Sequence, residues 1–299
     1  MSEPMRGIFP VLQTPLDTDG ELDIASLRRE VHFCIAAGAH GLVFPALGSE
    51  LQYLSDRERQ QLVEVVVNEA GGQLPIVVAV SAPSAAIAAE HARHAARAKA
   101  QAVMALPPYI TAGTPDEILD YYRAIGRAAE LPIFVQNAAP GLSPDFLIRL
   151  LREIDQIRYI KEEASPSAHN LSAVARATGD RCDGIFGGAF GRWMLSELRR
   201  GAGGFMPAAE ITDVYVQVWD AFESGDHASA RRIFNQVLPL INLLMLLGLR
   251  VSKEVLVRRG IFRSTLMRAT GALALDEDDQ RELDAILDDL RPFFRVKGA

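Results

Sequence analysis

The sequence predicts a (β/α)8 barrel with a C-terminal helical extension. Eight short apolar segments alternate with amphipathic ones, and these apolar segments are nearly continuous, as expected of parallel strands buried on both faces. The length of 299 residues suits one such barrel. We therefore predict a single domain over residues 1–299, in which residues from about 223 to 299 form the extension. An open doubly wound sheet is the alternative, weakened because no G-x-G-x-x-G follows the first strand.

The eight predicted strands are short apolar runs, and the predicted helices have apolar residues at helical spacing. The strands are 7–16, 41–47, 75–82, 102–108, 132–138, 157–163, 182–188 and 203–208. The helices between them are 25–38, 55–72, 84–100, 114–130, 143–154, 167–179 and 191–201. Several of these helices begin at Ser or Thr with an acidic residue or proline close behind, which is typical of helix N-termini. From about residue 209 to the end we predict three helical stretches, including 227–248 and 276–294.

Composition and charge indicate a globular protein that acts on a small molecule. Apolar residues make up 49% and charged residues 23% of the chain, which argues against disorder. The net charge of −7 argues against binding to nucleic acid or to a membrane surface. The first ten residues lack an apolar signal core, and the apolar run 238–249 is too short to span a bilayer. We expect a cytoplasmic location.

Metal and disulfide chemistry are not indicated. Cys34 and Cys182 have no C-x-x-C spacing, and buried free thiols are expected. His91 and His94 lie three residues apart in an alanine-rich helix, and we expect both to be exposed. In a parallel barrel the active site lies at the carboxyl ends of the strands, where this sequence has no histidine, cysteine or aspartate cluster. We therefore expect no metal site.

The polar residues at those strand ends are the candidates for an active site. They are Gln13, Thr14, Gly48, Ser49, Glu50, Ser81, Tyr109, Gln136, Asn137, Lys161, Glu162, Glu163, Gly187 and Gly188. Of the four lysines, Lys99, Lys161, Lys253 and Lys297, only Lys161 lies on a predicted strand. Because side chains alternate along a strand, Lys161 and Glu163 share one face, and Glu162 lies on the other.

A lysine on a strand of a buried parallel sheet has two interpretations. Burial lowers the pKa of an unpaired amine, and a neutral amine can attack a carbonyl to form a Schiff base. The alternative is an ion pair between Lys161 and Glu163 that has no chemical role. The residues alone leave both open.

Four segments resemble the dihydrodipicolinate synthase and N-acetylneuraminate lyase superfamily of class I aldolases. They are, in order, GLVFPALGSELQYLSDRER, LPPYITAGTPDEIL, LPIFVQNAAP and RYIKEEAS, and VSKEVLVRRG near the C-terminus also fits. The likeness runs from about Gly7 through the C-terminal helices. It implies a (β/α)8 barrel assembled as a homotetramer or dimer. It also implies an imine between a 2-keto acid and the sixth-strand lysine, which Lys161 matches, so that no separate cofactor is needed.

The sequence departs from this family's pattern around the lysine. Leu47 stands where members have a relay hydroxyl, and Gln136 stands where they have the acid/base tyrosine. Ile110 replaces the second residue of a Tyr-Tyr pair, and Gly141 aligns with an arginine of the synthases. Because a glutamine amide does not transfer protons, the sequence is a poor candidate for dihydrodipicolinate synthesis.

We predict that Lys161, Glu163 and Gln136 are the catalytic residues. In the family's usual pattern a single glutamate follows the lysine, so Glu162 is expected to be structural and Glu163 is the unusual residue. We expect burial to raise the pKa of Glu163, which would take over the proton transfers of the missing tyrosine. Gln136 is expected to hydrogen-bond the substrate.

The remaining candidates are expected to bind substrate. Gly48 and Ser49 would hold its carboxylate. Tyr109 would reach its own or a neighbouring subunit's site, and the alternative is that it only packs within its PPY segment. Asn137 lies at a strand end, and Gly187 with Gly188 would allow the backbone to approach the substrate.

The resemblance favours dehydration of a 2-keto-3-deoxy sugar acid. The family includes such dehydratases, for example those acting on 2-keto-3-deoxyarabonate, and FPALGSE together with Gln136 is similar to that branch. The alternatives are aldol cleavage or condensation with pyruvate, as in the synthases and keto-deoxy acid aldolases, and a barrel that binds a keto acid without turning it over.

Overall fold

The computed structural model describes residues 3–296 and confirms the predicted (β/α)8 class. The strands are β1 Gly7–Ile8, β2 Leu42–Val43, β3 Ile76–Ala79, β4 Ala102–Ala105, β5 Ile133–Asn137, β6 Ile157–Glu162, β7 Gly184–Gly187 and β8 Gly204–Phe205. The helices are α1 Ile24–Ala36, α2 Asp56–Ala70, α3 Ala85–Arg97, α4 Pro115–Ala129, α5 Pro144–Glu153, α6 Ser167–Thr178, α7 Met194–Leu198, α8 Thr212–Glu223, α9 His227–Leu247, α10 Leu249–Arg258 and α11 Glu277–Leu290. Lys297 lies outside the described residues.

The chain divides into two units, which we describe separately. The first unit comprises the described residues up to Gly7 together with Pro75–Met206. The second comprises Ile8–Leu74 and the described residues from Pro207 onward.

Strands β3 to β8 of the first unit pair in chain order, and every pairing is parallel. Gln136 on β5 is the register partner of Lys161 on β6, and Asn137 is the partner of Glu162. This register places the polar ends of the two strands side by side.

The first unit departs from the sequence predictions in the length of one helix and in the exposure of two histidines. The stretch 191–201 forms only the short helix α7, because it follows a turn in which Ala189 and Phe190 have φ values of 46° and 58°, a conformation that does not continue a helix. His91 and His94, expected to be exposed, are buried on α3. Both histidines belong to the buried face of α3, a helix that packs against α4.

The second unit carries the C-terminal helices. Val11 bridges to Val43 and to Ala208, and α9 packs against α8, α10 and α11. The predicted count of three helical stretches is wrong, because four helices, α8 to α11, follow Pro207 in the described chain. Gly248, with a φ of 75°, ends α9 and begins α10.

The signals for helix N-termini are confirmed. Ser55 and Thr114 cap α2 and α4. In each helix the side chain of the glutamate three residues later accepts a hydrogen bond from the backbone amide of the capping residue. Among the described residues, no helix is long and apolar enough to cross a membrane.

Candidate active site

Lys161 and Glu163 meet at the end of β6 in the first unit. The Lys161 Nζ lies 3.3 Å from Glu163 Oε1, and their side chains are 5% and 16% exposed. The predicted shared face is therefore confirmed. The two side chains form an ion pair.

A layer of aromatic rings lies one strand step below the lysine. Tyr159 precedes Lys161 by two residues and stacks on Phe134 with ring centroids 4.3 Å apart. Phe186 meets Phe134 edge to face at 5.2 Å. All three side chains are buried. The strand that carries Lys161 is therefore bordered by buried aromatic side chains. In such apolar surroundings, interactions between charges are stronger than in water.

Gln136 fixes the other oxygen of the same carboxylate. Its Nε2 donates to Glu163 Oε2 at 2.8 Å. The Gln136 Oε1 is buried and has no hydrogen-bond partner among the described residues. A buried acceptor without a donor is unfavourable, so this oxygen is suited to receive a substrate hydroxyl.

The backbone after β7 completes the environment of Glu163. The Ala189 amide donates to Glu163 Oε1 at 2.9 Å. A Cβ on Gly188 would lie 2.3 Å from the same oxygen, so only glycine leaves room for the carboxylate. The left-handed backbone of Ala189 and Phe190 follows directly, and such strained turns concentrate at functional sites.

The structure corrects the expected pKa of Glu163. Burial by itself raises the pKa of this carboxyl, as the sequence argument held. The Lys161 ammonium and the donors on Ala189 and Gln136 outweigh burial, so the pKa of Glu163 is lowered below its usual 4.5. Residue spacing does not reveal these partners. Glu163 is therefore ionised at neutral pH.

Glu162 points away from this pair, as the strand alternation predicts. Its oxygens accept from Asn137 Nδ2 at 3.1 and 2.9 Å and from the Ala164 amide at 2.8 Å. Burial raises the pKa of Glu162 to about 7 despite these bonds. Asn137 also accepts from the Leu142 amide at 2.6 Å. Its side chain therefore anchors the loop after β5, and its predicted contact with substrate stays a prediction.

Glu197 on α7 is a buried acid that the sequence argument missed. Its Oε1 accepts from Ser167 Oγ at 2.6 Å, and burial raises the pKa of Glu197 to about 7. The sequence offers little signal for it, because Glu197 lies in a charged stretch, SELRR, that is typical of a solvated helix face.

The other predicted binding residues are divided between the two units of the chain. A Cβ on Gly187 would meet Glu197 Oε2 at 2.2 Å, so this glycine has a packing role. Tyr109, in the loop after β4, is 43% exposed. Gly48 and Ser49 belong to the second unit, where Ser49 Oγ donates to the Leu12 carbonyl at 2.5 Å and accepts from the Ala46 amide at 3.0 Å. Binding of substrate by these residues stays a prediction.

Metal-binding geometry is not found in residues 3–296. No group of three or more His, Cys, Asp or Glu side chains there is placed to hold a metal ion. Cys34 is buried, as expected, and Cys182 is half-buried.

Comparisons with known proteins agree on one family, while the relatives differ in the reactions that they are named for. A sequence model described as the Dihydrodipicolinate synthetase family matches residues 4–290. An L-2-keto-3-deoxyarabonate dehydratase of Azospirillum brasilense is 36% identical over 243 residues, which is 79% of this chain and 79% of that protein. A 4-hydroxy-tetrahydrodipicolinate synthase of Bradyrhizobium diazoefficiens is 28% identical over 241 residues, 79% of this chain and 80% of that one. The solved dihydrodipicolinate synthase of Rhodopseudomonas palustris superimposes with a TM-score of 0.88 at 26% identity. The alignment covers 95% of this chain and 97% of the Rhodopseudomonas chain.

Proposed function

This chain belongs to the dihydrodipicolinate synthetase family of lyases, and we propose that it dehydrates a 2-keto-3-deoxy sugar acid through an imine on Lys161. One observation supports this most strongly. The Lys161 Nζ is 3.3 Å from a carboxylate, Glu163, that is ionised and aimed into the same space. The 36% identity to a protein named as a keto-deoxyarabonate dehydratase points to the same class of substrate.

The first step joins substrate and enzyme. Glu163 takes a proton from the Lys161 ammonium, and the neutral amine attacks the C2 carbonyl of the keto acid. Glu163 then returns the proton to the carbinolamine hydroxyl, which leaves as water. The product is a cationic imine beside a carboxylate, so the charge of the buried pair is unchanged.

The second step is the elimination. Glu163 removes a proton from C3, and the electron pair of that C–H bond forms the C2–C3 double bond of a neutral enamine. The carboxylic acid then protonates the C4 hydroxyl, which leaves as water while the enamine nitrogen lone pair restores the cationic imine. Hydrolysis releases the unsaturated keto acid and the lysine.

The changing pKa of Glu163 suits both roles. The adjacent cation lowers it while the imine is charged, and this cation disappears when the enamine forms. Glu163 then holds its new proton more tightly until the cation returns as the hydroxyl leaves. One carboxyl group therefore acts first as base and then as acid, and the pair keeps zero net charge throughout.

Gln136 favours dehydration over aldol cleavage. Cleavage of the C3–C4 bond requires a base on the C4 hydroxyl, the task of the family's tyrosine. Gln136 occupies that position, and its amide cannot accept a proton. It donates to Glu163 and leaves its Oε1 for a substrate hydroxyl. Aldol chemistry is the second candidate, because a relative at 28% identity is named as a synthase.

A panel of 2-keto-3-deoxy sugar acids distinguishes the two reactions. We expect loss of substrate, formation of a dehydrated keto acid detected by mass spectrometry, and no pyruvate. Pyruvate release, measured in parallel with lactate dehydrogenase, would identify an aldolase instead. Imine trapping without turnover of any panel member would leave only a keto-acid-binding barrel.

Gly188→Ala is expected to separate imine formation from proton transfer. The three heavy atoms nearest to the added Cβ all belong to Glu163, with Oε1 at 2.3 Å, so the substitution must displace this carboxylate while the Lys161 amine is retained. We expect trapping with pyruvate to persist and turnover of the panel substrate to fall about 100-fold, the usual effect of a misplacement near 1 Å. Gly113→Ala is the matched control, because its Cβ would make only ordinary contacts at 3.5 Å. Normal turnover by Gly188→Ala would contradict the assigned position of Glu163.

A further inference from the structure

Glu197 lies against the same glycine pair as Glu163. A Cβ on Gly187 would meet Glu197 Oε2 at 2.2 Å, and a Cβ on Gly188 would meet Glu163 Oε1 at 2.3 Å. The two carboxyl groups are thus separated by the side-chain-free backbone at the end of β7, and this thin layer provides little screening between them.

The Glu197 carboxyl is only half satisfied. The side chain is 2% exposed, and Ser167 Oγ donates to its Oε1 at 2.6 Å. Its Oε2 is buried and has no hydrogen-bond partner among residues 3–296. An ionised carboxylate in such a position would be unfavourable, whereas a neutral acid tolerates it.

We propose that Glu197 is a positioning residue that controls, across the Gly187–Gly188 backbone, how tightly Glu163 holds its proton. A neutral Glu197 leaves Glu163 free to ionise and to give up the proton it collects. An ionised Glu197 repels the Glu163 carboxylate and makes it a stronger base. Neither carboxyl needs to touch the other for this coupling to act.

The surrounding groups are consistent with this coupling. Burial raises the pKa of Glu197 to about 7, the Ser167 hydrogen bond lowers it, and the charge of Glu163 raises it again. On the other face of β6, Glu162 also feels Glu197, and its pKa is likewise raised to about 7, mainly by burial. Lys161 provides the opposing positive charge on the side of Glu163.

The inference deepens the proposed function, on which its catalytic meaning rests. A base that must later act as an acid works only if its affinity for the proton is neither too low nor too high. Glu197 would set that balance according to pH, and proton abstraction from C3 would become faster as Glu197 ionises.

Infrared spectroscopy of the carboxyl bands tests the coupling without any substrate. In the wild type we expect two carboxyl groups to titrate near pH 7, and Glu197→Gln should remove one of them. In Glu163→Gln the pKa of Glu197 should fall by about 0.5 to 1 pH unit, because the negative charge of Glu163 is removed. Ser167→Ala should move it up, because the hydrogen bond to the carboxylate is lost. Glu153→Gln, at an exposed salt bridge in the same unit, should leave both bands in place.

Exchange of pyruvate methyl protons for deuterium supplies the functional readout. At saturating pyruvate, the wild-type rate should rise through an inflection near pH 7, and the rate of Glu197→Gln should be independent of pH there. A uniform loss of rate with the wild-type inflection retained, or a Glu197 band that Glu163→Gln does not move, would overturn the inference. If the protein dehydrates no keto acid, the infrared titration still decides the coupling, so the two proposals fail separately.

Discussion

Lys161→Ala is expected to abolish covalent trapping and to lower turnover by about 10⁴-fold or more. The reason is that the substrate's electron sink is the imine itself, and no other group replaces it. Reduction with borohydride in the presence of pyruvate should add the mass of one reduced pyruvate adduct to each wild-type chain and none to the variant. An adduct of undiminished yield in Lys161→Ala would show that another amine is the nucleophile.

Two features make this test interpretable. Without the Lys161 side chain, the pKa of Glu163 loses its largest lowering influence and is expected to rise, while the Ala189 and Gln136 donors still hold the carboxyl, so we expect the fold to survive. Thermal unfolding of the variant checks this point. Lys99→Arg is the matched control, because it removes an exposed amine, keeps the charge and should trap pyruvate normally.

Glu163→Gln is expected to form the imine still, more slowly because water must carry the protons of that step, and to lose turnover by about 10²- to 10⁴-fold, the range of a missing general acid–base. Glutamine has nearly the same shape and can still accept from the Ala189 amide, so the loss would be chemical. Glu153→Gln serves as the control at an exposed glutamate of the same unit. Turnover at the wild-type rate in Glu163→Gln would remove the proton-transfer role.

The lowered pKa of Glu163 also predicts the pH dependence. Because Glu163 is ionised in the free protein down to below pH 4.5, kcat/KM should show no loss attributable to this group above that pH. The same shift stabilises the fold at pH values above the unfolded pKa of 4.5. That stability is lost as the pH falls through the folded pKa.

The shared face of Lys161 and Glu163 could be predicted from the sequence, but the electrostatics of this pair could not. Strand alternation is a local rule, so it correctly placed Lys161 and Glu163 on one face and Glu162 on the other. The pKa of Glu163 depends on partners far along the chain, the Gln136 and Ala189 donors. Burial alone gave the wrong direction.

Glu197 and the two glycines show the same limit. Glu197 reads as a surface charge because its helix is expected to be longer and solvated. The left-handed turn at Ala189 and Phe190 shortens that helix, and Glu197 is buried against Gly187. Gly187 and Gly188, predicted to let the backbone approach the substrate, make room for two carboxyl groups of the protein, and their contact with substrate stays a prediction. None of these contacts follows from the spacing of the residues involved.

Proton transfer by Glu163 at the imine is tested most directly by following the pyruvate methyl signal in deuterated water by NMR. We expect the wild type to replace these protons with deuterium and Glu163→Gln to lose this exchange while still forming a borohydride-trapped adduct. Exchange by Glu163→Gln at the wild-type rate would contradict the account.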